Sequence, residues 1–235
     1  MKALRNLLIL LAIIVVIGFV VPGGVRNGYL NYWYGRLLEM KGDLGGASQA
    51  YENASDAMVD NATFARAQVR TLNDLGEEKE ETSYFDDAFK VADSWIKDHE
   101  NHEQVWQLYV EKARAEWGQG KKNVARFSID KAVELMPTDY VALVYQGIIY
   151  RDTRPDNRES VRRSIPIFEQ AIAVRRETRT AWAHYELAVA FWMVRDEQGA
   201  LNEINQTLSQ WPPRWLRQKA ERLKHQIQSG GRSER

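Results

Sequence analysis

Two helical patterns recur 34 residues apart in the middle of this chain, and that spacing limits the fold more than any other feature. Trp106, Tyr109, Ala113 and Glu116 return as Tyr140, Leu143, Gly147 and Tyr150. Between them Ala125, Ile129 and Ala132 form a second apolar stripe that stops at Pro137. A period of this length marks a supersecondary unit that cannot bury its apolar face alone and must stack on copies of itself. The apolar positions follow a helical rather than an alternating period, so the unit is a pair of helices.

The arrangement resembles the tetratricopeptide repeat family. That family's unit carries an aromatic, a Leu-small pair and an aromatic on its first helix, then Ala-x3-Phe-x2-Ala and a closing proline. The resemblance implies an all-α fold, a right-handed helical solenoid of about five helix pairs. The first unit is Tyr34-Gly35 and Leu38, a Gly42-Asp43 turn, then Ala47, Tyr51 and Ala54. The second has Ala65, Val69 and Leu72, an expected insertion around Gly76 to Thr82, then Phe85, Phe89 and Ala92, with Phe85 where a small residue belongs. The third is Trp106 to Pro137. In the fourth, Asp152 to Asn157 includes Pro155, which cannot continue a helix, so a lengthened loop is expected before Ser164, Phe168 and Ala171. The fifth has Leu187-Ala188 and Phe191, then Ala200, Ile204 and Thr207, and closes at Pro212. After it, Leu216, Ala220, Leu223 and Ile227 form one stripe of a C-terminal capping helix. The expected division is 1–25 membrane segment, 26–212 solenoid, 213–228 cap and 229–235 tail.

Leu7 to Val21 is apolar throughout apart from Gly18, and Leu7, Leu11, Ile14, Val15 and Phe19 are representative of it. A cleaved signal peptide would explain Lys2, Arg5 and the length of the run, but Val20 to Gly24 offers only a poor small-residue cleavage site. An uncleaved N-terminal transmembrane helix fits better, ended by Pro22-Gly23-Gly24. Lys2 and Arg5 precede the run and only Arg26 closely follows it, so the N-terminus is expected in the cytoplasm. The rest then lies in the periplasm or outside the cell, on a single-pass protein of the inner (plasma) membrane. Tyr29, Tyr32, Trp33 and Tyr34 come next, read either as an interfacial aromatic belt or as a packing face. Packing is the expectation for Tyr34, beside the small Gly35.

Lys plus Arg equals Asp plus Glu at 32 each, so no overall field favours nucleic acid, and none is expected as a partner. With no cysteine, thiol chemistry and disulfides are excluded. His99 and His102 lack a third ligand at defined spacing, and His184 sits among Ala181, Trp182 and Tyr185 as a packing or groove residue. No phosphate loop, nucleophile elbow or paired-carboxylate signature is present. No catalytic residue, cofactor or metal is therefore assigned, and the chain is read as a binding protein rather than an enzyme.

The resemblance also implies where binding would occur, because in the family the first helices of successive units line a concave groove. Carried onto this chain, the groove comprises Tyr32 and Arg36, Arg66 and Arg70, Val110, Arg114 and Trp117, Ile148 and Arg151, then Trp182, Tyr185 and Trp192. Half of this set is expected to pack between repeats instead. Arginine and aromatic side chains are enriched in binding hot spots, and an acidic, partly apolar peptide would suit them. The expected activity is that of a membrane-anchored scaffold or chaperone-like assembly factor holding an envelope protein. The alternative is a structural accessory subunit of a large membrane complex. Residues 74–103 carry 11 acids against 3 bases, and 211–235 carry 7 bases against 2 acids, a polarity that would steer a partner, favour self-association or, in the commoner case, simply keep the surface soluble.

Overall fold

The structure, a computed structural model, describes residues 22–175 and 179–230. The described residues form eleven helices: α1 (Gly23–Met40), α2 (Leu44–Ala57), α3 (Ala62–Lys79), α4 (Thr82–Asp98), α5 (Val105–Gly118), α6 (Lys122–Leu135), α7 (Tyr140–Thr153), α8 (Arg158–Val174), α9 (Ala181–Met193), α10 (Glu197–Ser209) and α11 (Arg214–Gln228). Short polar side chains start many of them. Asp43, Asn61, Asp139, Asn157 and Asp196 each accept a hydrogen bond from a first-turn amide of the helix that follows. The expected anchor, with Leu7, Leu11, Ile14, Val15 and Phe19, lies outside the described residues, as does 231–235 of the expected tail. Among the described residues no helix is long and apolar enough to cross a membrane.

The chain forms two compact units, with the boundary after Glu111 inside α5. In the first unit α1 packs on α2, α2 on α3 and α3 on α4. Its repeat signature works through close approach: a Cβ on Gly35 would lie 2.7 Å from the Tyr51 ring, so only glycine lets α1 come this near to α2. Leu38, Ala47, Ala50, Tyr51 and Ala67 close the core there. The expected insertion around Gly76 to Thr82 does not form a loop, because α3 simply continues to Lys79 and α4 restarts at Thr82. The oversized Phe85 is accommodated by Gly76, whose added Cβ would sit 2.7 Å from its ring.

In the second unit α7 is packed by α6, α8 and α9, and Leu143, Val144, Phe168, Ala171 and Leu187 form one core with it. The lengthened loop expected at Pro155 is present but short: α7 runs to Thr153 and α8 begins at Arg158, and most of the added residues lengthen α8 to 17 residues. Pro166 is tolerated inside α8 because it faces solvent, where water can satisfy the carbonyl that its missing N–H leaves free. Helix α11 buries Leu216, Ala220, Leu223 and Ile227, the stripe read from the sequence, and the last three share a core with Ala188, Ala200 and Ile204. Burying each such leucine or isoleucine contributes about 1.5–3 kcal/mol.

Four of the five helix pairs turn through a left-handed residue just before the next N-cap, and the α7–α8 turn at 154–157 does without one. Gly42 and Gly120 fill that place at φ 80° and 76°, whereas Glu80 and Arg195 fill it at φ 56° and 69°. Tyr34 corrects an expectation, for it is 58% exposed rather than packed. Successive helical residues turn by about 100°, so with Gly35 facing Tyr51 its neighbour Tyr34 points away.

Candidate partner-binding surface

In the first unit the candidate residues gather around two carboxylates. Tyr32 stacks on Phe64 at 5.0 Å between ring centroids and leans on Tyr51 at 5.6 Å. Glu39, at the end of α1 and only 13% exposed in its side chain, receives Arg36 at 3.2 Å and Arg70 in a short ion pair. The Tyr51 hydroxyl donates to the same carboxylate at 2.8 Å. Burial, and then Glu39, push the Tyr51 pKa well up, so it stays a donor. On the next first helix Arg66 pairs at 3.5 Å with Glu111, whose carbonyl accepts a 2.9 Å bond from Asn73 Nδ2. The side chains of Arg36, Arg66 and Arg70 remain 46%, 33% and 30% exposed, while Glu111 is 2% exposed. Carboxylates thus hold three guanidiniums from behind and leave their outer edges open. Guanidiniums with open outer edges are suited to an acidic group on a partner.

In the second unit the side chains form a run across α5, α7 and α9. The Arg114 guanidinium lies 5.0 Å over the Tyr145 ring, and Tyr145 meets Trp182 edge-on at 5.1 Å. Trp182 Nε1 donates to Glu186 at 3.1 Å, Glu186 accepts from Arg151 at 2.7 Å, and Arg151 Nε donates to Asp152 at 2.7 Å. Burial alone would lower the Arg151 pKa, but Glu186 and then Asp152 outweigh it and raise it, so the guanidinium is held charged. Tyr185 is pushed up to about 12 by burial and then by Glu186.

Several residues expected to line a groove are packed away. Val110, Arg114, Ile148 and Arg151 are between 2% and 8% exposed. For Arg151 the reason is the ion pair with Glu186, and for Ile148 it is the crowding of α7 by three neighbours. Trp117, Trp182, Tyr185 and Trp192 are half-buried, and a partner can reach them only in part. The sequence reading missed Tyr145 and Glu186. Glu186 did leave a signal, because it is the sole formally charged residue of α9 and a lone acid in an apolar helix needs a buried cation.

His99 and His184 serve packing. The His99 ring stacks on Trp95 at 4.2 Å with its Nε2 2.9 Å from Asp60, and His184 Nδ1 is 2.6 Å from Glu203. Among the described residues no three potential ligands converge on a metal position.

No protein-family model and no curated protein matches the chain. Solved structures do match its fold. TTC0263, a thermophilic TPR protein of Thermus thermophilus, is similar with a TM-score of 0.64 at 17% identity, over 83% of this chain and 98% of that one. MamA from Desulfovibrio magneticus RS-1 has a TM-score of 0.55 at 15% identity, over 78% and 94%. A tetratricopeptide repeat protein from Parabacteroides merdae has 0.53 at 16%, over 87% and 74%. At such identities the likeness establishes a tetratricopeptide-like all-α fold and leaves activity to the chain's own residues.

Proposed function

We propose that this chain is an interaction scaffold or assembly factor that captures a protein partner in the cell envelope. Leu7–Val21 anchors it, and the repeats stand on the outer side of the inner membrane. The single observation that supports capture is the trio Arg36, Arg66 and Arg70, fixed by Glu39 and Glu111 while their outer faces stay open. Guanidiniums pre-placed in this way lose little side-chain freedom on binding, so an acidic segment with apolar neighbours is the ligand class they select. The half-buried Tyr32 beside them supplies an apolar flank.

The test is co-purification from gently solubilised membranes with the intact chain, comparing Arg36→Glu, Arg66→Glu and the two together. Each reversal is expected to lower recovery of the partner about tenfold or more, a loss of about 1.4 kcal/mol or more. Equal recovery with the double reversal would remove the arginine surface from the function. A partner that stays in fixed stoichiometry whatever these residues are would instead favour a structural subunit of a larger membrane complex.

A further inference from the structure

One surface of the first unit lies outside the arginine cluster. On α1, Leu30, Trp33, Tyr34 and Leu37 follow the i, i+3, i+4, i+7 spacing of one helical face, and Met40 extends it. They are 61%, 62%, 58%, 51% and 75% exposed, and Tyr29 at their edge is 48% exposed. The opposite face, with Gly28, Gly35 and Leu38, is the one buried against the unit. An apolar face of this kind on a surface helix marks a site that something covers.

We propose that this face lies in the headgroup layer of an anionic phospholipid bilayer, with α1 parallel to the membrane plane. The proposal rests on the anchor reading of Leu7–Val21. That apolar run ends at Val21, and Pro22 takes an extended conformation immediately ahead of α1, so this helix starts afresh after Pro22. A helix rises about 1.5 Å per residue, so an upright α1 would carry Leu37 roughly 20 Å from the end of the run, beyond a headgroup layer only about 5–8 Å deep. Lying flat, it brings all of the exposed residues to that depth. Their chemistry matches, since tyrosine and tryptophan favour the boundary between hydrocarbon and water. Charge agrees as well. Glu39 is the only acid on α1, and it is turned away onto Arg36, Arg70 and Tyr51, while exposed Lys41 stands at the end of the face.

The chain has no cysteine, so single-cysteine variants of the full protein give clean fluorescent labels. Labels are placed at Leu11→Cys in the apolar run, at Leu30→Cys and Leu37→Cys on the face, and at Asn53→Cys on the solvent side of α2. They are read in phosphatidylglycerol–phosphatidylethanolamine vesicles with spin-labelled lipid as quencher and iodide as the aqueous quencher. The expected result is at least about twofold quenching by lipid at Leu11, Leu30 and Leu37 and none at Asn53, on the reasoning that only labels seated in the bilayer contact lipid. Quenching at Leu11 without quenching at Leu30 and Leu37 overturns the proposal and leaves the anchor standing. Quenching at neither place overturns both. Labels at Leu30 and Leu37 that are shielded from iodide but unquenched by lipid would show a protein, or a second copy of the chain, on this face and would also overturn it.

Discussion

Replacing Gly147 by alanine tests whether close approach between paired helices holds the repeats together. A Cβ at this position would lie 2.4 Å from a Phe168 ring carbon, and Phe168 is fully buried. Carbon–carbon contacts settle near about 3.5–4.0 Å, so the ring or its helix must retreat by about 1.1–1.6 Å. Overpacking of a dense core costs about 1–3 kcal/mol, toward the upper end for an overlap this deep. Against this, alanine in a helix interior gains about 1 kcal/mol over glycine. The net expectation for Gly147→Ala is a loss of about 1–2 kcal/mol, read as a lower urea midpoint by tryptophan fluorescence of the full chain in detergent. The double variant with Phe168→Leu should be less unstable than the sum of the two single changes by at least about 1 kcal/mol, because the smaller side chain makes room for the methyl. Stabilisation by Gly147→Ala, or additivity of the pair, would refute the reasoning.

Two further outcomes are expected. Glu186→Ala should cost about 3 kcal/mol, since it leaves the Arg151 guanidinium buried with Asp152 alone, whereas Glu186→Leu with Arg151→Met should recover most of that loss; an unchanged urea midpoint in Glu186→Ala would count against the pair. The hydrogen bond to Asp60 is the largest cause raising the His99 pKa above its ordinary value. Because the folded state binds this proton more tightly, the contribution is full below the unfolded value of about 6.5 and is lost as pH rises through the higher folded value. Asp60 is 87% exposed, which limits the contribution to about 1 kcal/mol or less. Thermal melts from pH 5 to 9 should show it, and Asp60→Asn should flatten the difference.

What the sequence made legible were contacts inside one helix pair. Tyr51, Phe168 and Ile204 emerge as buried centres because each meets a partner within its own repeat, where spacing alone decides the contact. The face each first helix leaves open was less legible, because neighbouring repeats decide it. Val144 is fully buried while Tyr145, one residue on, is half-exposed in the run with Arg114 and Trp182. Arg151 finds Glu186 across 35 residues, a pairing that no local pattern announces. Arg36, Arg66 and Arg70 were read as one surface, but the inward-facing Glu39 that gathers two of them was not.

The left-handed turns within the helix pairs set how the chain breathes. A stacked array opens in parts, one hairpin at a time, rather than all at once. Glycine enters the left-handed region without steric penalty at Gly42, while the same geometry costs a residue with a side chain, such as Glu80, about 1 kcal/mol. The α3–α4 hairpin therefore carries a small standing tension that α1–α2 does not, and Arg195 places the same tension on α9–α10. In each case the closed hairpin gives up part of its advantage over the open one. Among the turns within pairs, these two therefore have the least to lose by opening.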